Sequence, residues 1–292
     1  MADNIELVGL LGEHIENSIS PFIQQSFIRY YLAKYIYLPF QITGDELKDA
    51  LRAVKVLKMR GLNVTNPFKV QSIKFMDRID QSAARIGAIN TVVQENKKLY
   101  GHNTDWFGFQ KPLQDELEFS FVDKKIIVLG AGGAARAVVY ALLNGGCSKI
   151  SIFNRSNSRA LEIKKNFQGL YPHCQIEVFS PLKKELQKEI EGADLLVNTT
   201  PLGSWYYPDI CPLPEFVKFP SSTIIYDLIY YPEKTMFLKK AESNGNVFLN
   251  GSSMLVYQAA KSFYLWTGIE PDQNIIAEIL DKIKNSSIYK YL

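Results

Sequence analysis

The chain has 292 residues, of which 47% are hydrophobic and 22% charged, a composition typical of a globular protein with one large or two medium domains. The net charge is only +3 and the basic residues are scattered, which argues against a nucleic-acid partner. The N-terminus has no signal-like segment and no apolar run is long enough to span a bilayer, so we expect a cytoplasmic protein without a membrane partner.

The cysteines and histidines give no sign of a metal site or a disulfide framework. Cys147, Cys174 and Cys211 are odd in number and widely spaced, and none forms a C-x-x-C motif, so we expect reduced thiols. The three histidines are dispersed, and no G-x-S-x-G motif is present. The sequence therefore predicts no metal and disfavours hydrolase chemistry.

Apolar runs of strand length alternate with helical stretches along the chain, which predicts an α/β fold with a mainly parallel sheet. The predicted strands are residues 5–10, 36–41, 62–65, 91–94, 125–129, 149–153, 176–179, 194–198, 223–227 and 247–249. The predicted helices are residues 45–58, 134–143, 158–167, 182–190, 234–243 and 252–266. Between them, residues 201–222 form a long loop rich in proline and aromatic residues, with no role that the sequence indicates.

Polar residues stand at three places before residue 106 where strands are predicted to end. They are Ser18 and Ser20 in ENSISPF, Asn63, Thr65 and Lys69 in NVTNPFK, and Asn90, Asn103, Thr104 and Asp105 in GAINTV and GHNTD. Singly, each serine or asparagine is more often a turn or a helix cap. Because ligands bind at the carboxyl ends of strands in open α/β sheets, the group as a whole predicts a polar pocket.

A glycine-rich turn follows the strand at residues 125–129. The segment KKIIVLGAGGAARAVVYALLNGG passes from a buried-type strand through Gly130, Gly132 and Ala135 into a helix. The first glycine permits the turn, the second lets the backbone approach a pyrophosphate, and the small third residue lets helix and strand pack closely. This context predicts a dinucleotide site.

The second strand of this motif distinguishes the two nicotinamide cofactors. An NAD site has an acidic residue at the end of that strand, but no Asp or Glu occurs from Lys124 through Leu161. Instead the strand leads into Asn154, Arg155 and Ser156, with Arg159 one helical turn further on. An arginine fork beside a hydroxyl and an amide suits a phosphate dianion, so the sequence favours NADP.

Eight motifs, in this order, make the chain similar to the shikimate dehydrogenase family almost from end to end. They are SISP, NVTNPFK, GAINTV, GHNTD, GAGGAARA, NRSNSRA, YDLIYYPEKTMFL and NGSSMLVYQAAKSF. The resemblance implies an NADP-dependent oxidoreductase that reversibly reduces 3-dehydroshikimate to shikimate, on the route to chorismate and the aromatic amino acids. It also implies two domains: a substrate domain from residues 1–105, completed by C-terminal helices from 250–292, and a Rossmann-like NADP-binding domain from 106–249.

The resemblance also implies the site residues. Ser18 and Ser20 would bind the substrate carboxylate, Asn63, Thr65, Asn90, Asp105 and Gln258 would face the ring hydroxyls, and Tyr230 would lie close to the substrate. The cofactor would be bound by Gly130, Ala131, Gly132, Gly133 and Ala134 at the pyrophosphate, by Asn154, Arg155, Ser156 and Arg159 at the 2′-phosphate, and by Thr199, Leu228, Gly251 and Met254.

Lys69 and Asp105 are the predicted catalytic pair. Hydride arriving at a ring carbonyl builds negative charge on the oxygen, which must be stabilised and then protonated, and a lysine can do both. A neighbouring carboxylate would orient that lysine. Oligomeric state does not follow from the sequence, and a homodimer stands as one option.

The chain departs from the family pattern at three positions, and two other functions stay open. His14 and Asn17 replace the usual proline and histidine of the first motif, and Ser253 replaces a glycine before Met254. These departures put substrate preference in doubt. A quinate/shikimate dehydrogenase with relaxed substrate or NAD use is one alternative, and a non-catalytic sensor of a shikimate-pathway ligand is the other. A structural module would leave the clustered polar residues unexplained.

Overall fold

A computed structural model describes residues 5–180 and 185–285 of the chain. The chain folds into two compact units. The first unit comprises Met1–Gly108 and Leu255–Leu292, and the second comprises Phe109–Met254. The assignment of the ranges 1–105, 106–249 and 250–292 to substrate and cofactor binding stays a prediction.

The first unit contains a mixed six-stranded sheet in the order β2-β1-β3-β5-β6-β4. Its strands are β1 (Glu6–Gly12), β2 (Tyr35–Gln41), β3 (Gly61–Val64), β4 (Arg78–Ile79), β5 (Thr91–Glu95) and β6 (Lys98–His102). Neighbours β2 and β1, β1 and β3, and β4 and β6 are parallel, whereas β5 is antiparallel to both β3 and β6. The antiparallel hairpin of β5 and β6 places the residue after β6 beside the start of β5.

Six α-helices of the described residues lie wholly or partly in this unit. They are α1 (Ser20–Tyr30), α2 (Leu47–Val56), α3 (Gln81–Ile86), α4 (Asp105–Asp115), α9 (Gly251–Thr267) and α10 (Gln273–Lys284), with short 3-10 turns at Gly44–Glu46 and Gln71–Phe75. In α2 the buried residues Leu47, Leu51 and Val54 follow helical spacing. Helices α4 and α9 each contain a boundary between the two units.

The second unit is a parallel sheet in the order β12-β11-β10-β7-β8-β9 with a helix after most strands. Its strands are β7 (Lys125–Leu129), β8 (Lys149–Phe153), β9 (Gln175–Phe179), β10 (Leu195–Asn198), β11 (Ile224–Asp227) and β12 (Phe248–Leu249). Its helices are α5 (Gly133–Asn144), α6 (Asn157–Phe167), α7 (Glu185–Glu191) and α8 (Met236–Ser243). The strand order turns back at β7, whose carboxyl end is where such sheets bind ligands. The predicted α/β fold with a mainly parallel sheet is confirmed.

Several predicted elements differ from those observed. The helix predicted at residues 45–58 is a 3-10 turn followed by α2, which ends at Val56. Helices α1, α3, α4 and α10 and strands β4 and β6 were not predicted. Strand β4 has two residues and helix α3 has six, which is too short to show a clear periodicity. Residues 182–184 of the predicted helix 182–190 lie outside the described residues.

The described part of the chain contains no helix with the length and hydropathy of a membrane span. In the same residues no three acidic, histidine or cysteine side chains are grouped as metal ligands.

Candidate active site

Lys69 and Asp105 meet in the first unit, 36 positions apart in the sequence. The Lys69 Nζ atom lies 2.6 Å from Asp105 Oδ2, and the side chains are 17% and 6% exposed. Asp105 is the first residue of α4, where its backbone amide donates to Asn103 Oδ1 at 3.0 Å. The backbone oxygen of Lys69 accepts from the Ile89 amide at 2.9 Å, so the segment after β3 is tied to the loop before β5. A buried carboxylate and a partly exposed ammonium are thus held as a hydrogen-bonded ion pair.

Asn90 connects this pair to two neighbouring side chains. Its Nδ2 donates to Asp105 Oδ1 at 2.8 Å, to Thr104 Oγ1 at 2.9 Å and to Gln258 Oε1 at 3.2 Å. Its Oδ1 accepts from the Thr104 amide at 2.7 Å. Asp105 therefore has both carboxylate oxygens occupied by protein donors, which fixes its orientation. The structure brings together Lys69, Asn90, Asp105 and Gln258, four of the predicted site residues.

Behind Asn90 lies a buried network that the sequence did not reveal. The Asn63 amide donates to Thr91 Oγ1, to Ser262 Oγ and to the Asn90 carbonyl, and its oxygen accepts from the Tyr37 hydroxyl at 2.9 Å. Ser262 Oγ also lies 2.8 Å from Thr91 Oγ1. Asn63 is only 7% exposed and serves these internal partners, so its predicted contact with substrate stays a prediction. Ser262 was missed because its partner Thr91 lies 171 positions away, which no local motif records.

Ser18, Ser20 and Thr65 are half-buried around the carboxyl ends of β1 and β3. The Ser20 amide donates to Ser18 Oγ at 3.3 Å at the start of α1. A side chain at Gly12 would meet the Thr65 methyl group at 2.5 Å, so the end of β1 packs directly against Thr65. The described contacts include none that joins Ser18 or Ser20 to Lys69 or Asp105.

The predicted pyrophosphate turn lies at the carboxyl end of β7 in the second unit. Gly130 has φ +106°, and a Cβ there would lie 2.5 Å from Thr199 Oγ1. The Thr199 hydroxyl donates to the Leu129 carbonyl at 2.7 Å. At Gly132 and Gly133 the space that a Cβ would occupy is open, and no side chain caps α5, whose first turn follows Gly132. Open glycines before the uncapped N-terminus of a 12-residue helix fit a pyrophosphate.

The residues after β8 fit the 2′-phosphate of NADP. Arg155, Ser156 and Arg159 are exposed, and among the described residues neither arginine forms an ion pair. The Asn154 Nδ2 donates to the Ser156 carbonyl at 2.7 Å, and the Gly130 amide donates to the Phe153 carbonyl at 2.8 Å. The ends of β7 and β8 are therefore joined through the backbone, and the residues that follow β8 offer guanidinium groups in place of a carboxylate.

The predicted nicotinamide residues Leu228, Gly251 and Met254 lie around the turn after β11. A Cβ at Gly251 would overlap the Leu228 carbonyl oxygen, and the Gly251 amide donates to the Ile229 carbonyl at 2.9 Å. Met254 is buried one turn further along α9. Tyr230 is half-buried in the same turn and belongs to the second unit.

The fold and the two residue clusters fit a Rossmann-type, NADP-dependent oxidoreductase. Three family models match successive parts of the chain: the shikimate dehydrogenase substrate binding domain (residues 10–92), shikimate/quinate 5-dehydrogenase (113–201) and the shikimate 5′-dehydrogenase C-terminal domain (251–280). The chain belongs to the shikimate dehydrogenase family.

Individual relatives agree with the family models. The shikimate dehydrogenase (NADP(+)) of Alkaliphilus oremlandii is 40% identical over 269 residues, which are 92% of this chain and 94% of that protein. The crystal structure of the Listeria monocytogenes shikimate 5-dehydrogenase with shikimate and NAD has a TM-score of 0.89 at 32% identity, covering 96% and 98% of the two chains. The Thermus thermophilus enzyme with NADP(H) and shikimate has a TM-score of 0.84 at 31% identity, covering 95% and 99%.

Proposed function

We propose that this protein catalyses the reversible, NADPH-dependent reduction of 3-dehydroshikimate to shikimate. The observation that carries the proposal is the ion pair of Lys69 and Asp105, in a chain 40% identical to an NADP-dependent shikimate dehydrogenase. Asn90 holds Asp105 in this pair and also donates to Gln258. A sensor would need neither member of this pair. A quinate/shikimate dehydrogenase would use the same pair, but the curated relatives are named NADP-dependent shikimate dehydrogenases, which favours shikimate.

Lys69 is the acid-base group of the proposed mechanism. When bound, NADPH supplies the hydride for the carbonyl carbon. The Lys69 ammonium donates a hydrogen bond to the carbonyl oxygen and passes its proton to that oxygen as charge develops. In the direction of shikimate oxidation, the neutral amine removes the proton of the same hydroxyl group. Lys69 therefore loses one proton in each reduction and gains one in each oxidation.

Asp105 and Asn90 orient the lysine and the substrate. Asp105 Oδ2 accepts from Lys69 while Oδ1 accepts from Asn90, so the carboxylate cannot rotate away without breaking two hydrogen bonds. In the proposed complex, Thr65, Asn90, Asp105 and Gln258 face the ring hydroxyls. Ser18 and Ser20 take the carboxylate, and Tyr230 lies near the substrate. The first unit is accordingly the proposed substrate domain.

The second unit is the proposed NADP domain. Backbone amides from Gly130 to Ala134 would bind the pyrophosphate, and Asn154 to Arg159 the 2′-phosphate. Thr199, Leu228, Gly251 and Met254 would surround the nicotinamide end. The support is the open glycine turn, the uncapped α5 and the two arginines without ion-pair partners among the described residues.

The cellular setting is part of the proposal. We propose a cytoplasmic step in the shikimate pathway toward chorismate and the aromatic amino acids, carried out by a homodimer. The odd number of cysteines, without a C-x-x-C motif, supports a reducing compartment. Light scattering on the purified protein tests the dimer, and cell fractionation tests the compartment.

A four-way comparison of kcat/KM tests the reaction. Shikimate and quinate are each oxidised with NADP and with NAD, and the absorbance of the reduced cofactor is followed. The proposal predicts the highest kcat/KM for shikimate with NADP. Higher values for quinate or for NAD would favour the quinate/shikimate alternative, and no turnover in any arm would favour the sensor.

A further inference from the structure

Asn198 and Asp227 are two buried side chains at the carboxyl ends of β10 and β11. They face each other in register, both are 0% exposed, and Asn198 Nδ2 donates to Asp227 Oδ1 at 2.9 Å. Two further donors converge on the carboxylate: the Ile229 amide on Oδ1 at 3.2 Å and the Thr235 hydroxyl on Oδ2 at 2.7 Å. Burying a carboxylate is costly, and three donors offset part of that cost.

Each of the two side chains holds the turn that follows its own strand, and the hydrogen bond between them joins the two turns. Asn198 Oδ1 accepts from the Thr200 amide at 3.0 Å and from its hydroxyl at 2.7 Å, and Asn198 Nδ2 also donates to the Leu202 carbonyl at 3.2 Å. On the β11 side, Asp227 fixes the turn that begins at Leu228, through the Ile229 amide. The pair therefore links the turns 199–202 and 228–231.

These two turns carry residues on both sides of the proposed cofactor site. Thr199 is the residue that a side chain at Gly130 would strike, so its turn borders the pyrophosphate loop. The start of α9 packs against Leu228 and Ile229, because Gly251 lies against the Leu228 carbonyl and its amide donates to the Ile229 carbonyl. Neither Asn198 nor Asp227 is accessible to a ligand, and both act through the backbone they hold.

We infer that Asn198 and Asp227 are positioning residues that set the nicotinamide end of the NADP site. The inference rests on the proposed function for the identity of the cofactor. The 2′-phosphate end, around Arg155 and Arg159, has no hydrogen bond with this pair among the described residues. Breaking the hydrogen bonds of Asp227 should therefore reduce the contribution of the nicotinamide to the free energy of NADP binding. The contribution of the 2′-phosphate should stay unchanged.

Matched variants separate positioning from general destabilisation. Asp227→Leu removes all three acceptor contacts. Thr235→Val removes the hydroxyl donor at 2.7 Å, together with the side-chain cap that accepts from the Leu238 amide at the start of α8. Asp227→Asn keeps an oxygen for Asn198 and Ile229 and can donate to Thr235. Thr223→Val is the control, since Thr223 is equally buried, precedes β11 at its opposite end, and donates to the Ala193 carbonyl at 2.9 Å. If Asp227→Leu does not fold, the two threonine variants still form a matched comparison.

The readout is the ratio of two dissociation constants measured by calorimetry, for 2′-phospho-ADP-ribose and for NADP, which differ by the nicotinamide. We expect the ratio to fall toward one in Asp227→Leu and, less strongly, in Thr235→Val. It should keep the wild-type value in Asp227→Asn and Thr223→Val. An unchanged ratio in both Asp227→Leu and Thr235→Val, or an equal change in Thr223→Val, overturns the inference.

Turnover gives a second readout that the proposed function alone does not decide. With 3-dehydroshikimate, kcat should fall about 10-fold to 100-fold in Asp227→Leu, because misplacement by about 1 Å can cost this much. The KM for 3-dehydroshikimate should change little. If the wild-type protein shows no turnover, the proposed function is contradicted, and the ratio of dissociation constants still tests the positioning role of Asn198 and Asp227. If the wild type is active and the ratio is unchanged in the variants, only the positioning role is contradicted.

Discussion

Arg155 and Arg159 are the residues on which the choice between NADP and NAD depends. Both are exposed at the end of β8, where no carboxylate stands to receive a ribose hydroxyl. A hydrogen bond to a charged group contributes about 1.5 to 3 kcal/mol, with exposed groups at the lower end.

Replacing both arginines should therefore reduce the discrimination between the cofactors. In Arg155→Ala/Arg159→Ala we expect the KM for NADPH to rise about 10-fold or more, while the KM for NADH stays nearly unchanged. Steady-state kinetics with each cofactor measures this, with Arg52→Ala, an exposed arginine of α2, as the control. Equal changes in the two KM values would show that the arginines do not read the 2′-phosphate.

Asp227 makes the stability of the fold depend on pH. Burial raises the pKa of its carboxyl from 3.8 to about 6, against the opposing effect of the hydrogen bonds from Thr235, Ile229 and Asn198. Because the folded-state pKa lies above the unfolded value, the folded state binds this proton more tightly. The stabilisation that protonated Asp227 gives the folded state is fully present below about pH 4 and is lost as the pH rises through about 6.

Asp227→Asn should remove that dependence. The free energy of unfolding of the variant, relative to wild type, should rise by up to ~3 kcal/mol between about pH 4 and pH 7, since one pKa unit corresponds to about 1.4 kcal/mol. Urea unfolding across this range measures the difference. Parallel curves for the two proteins would mean that Asp227 titrates normally in the folded state.

At the scale of the elements, the start of α9 depends on having no side chain at residue 251. A Cβ at Gly251 would overlap the Leu228 carbonyl oxygen, so Gly251→Ala must push α9 away from the turn after β11. We expect a loss of about 1 to 3 kcal/mol in the free energy of unfolding, together with weaker NADPH binding. Denaturant unfolding and calorimetry measure the two effects.

Gly169→Ala is the control for this prediction. Gly169 has open space where a Cβ would lie, so the substitution should leave both quantities close to wild type. Full NADPH affinity in Gly251→Ala would show that the turn at Leu228 tolerates the displacement.

The elements that the sequence predicted best are the buried parallel strands. Strands β7 and β8 were predicted with the observed bounds, because continuous apolar runs between polar flanks are typical of strands covered on both faces. Helix α10 has buried isoleucines at helical spacing and an Asp272 cap, but it follows the resemblance motifs and was not predicted. Strand β4 has two residues, too few for any periodicity.

Contacts between distant elements set the limit of prediction. The pairing of Lys69 with Asp105 could be predicted, because two motifs of one family contain them. The Asn63, Thr91 and Ser262 contacts, and those of Asn198 with Asp227, depend on strand register and helix packing, which the sequence of either partner alone does not express. The family resemblance named most of the candidate site, and the structure added the buried side chains that support it.

At the scale of the whole molecule, the proposed acid-base chemistry and the proposed cofactor binding belong to different α/β units. The first unit holds the Lys69 and Asp105 pair and the second holds the glycine turn and the arginines, in agreement with family models that match residues 10–92 and 113–201 separately. Chemistry and cofactor binding should therefore be separable by substitution.

The most direct test of the proposed chemistry compares wild type with Lys69→Ala in 3-dehydroshikimate reduction by NADPH. We expect kcat to fall roughly 10²-fold to 10⁴-fold, the usual contribution of one acid-base group, while the dissociation constant for NADPH stays nearly unchanged. Near-normal turnover of Lys69→Ala, in a wild-type background that reduces 3-dehydroshikimate, would contradict the central claim that Lys69 carries the proton.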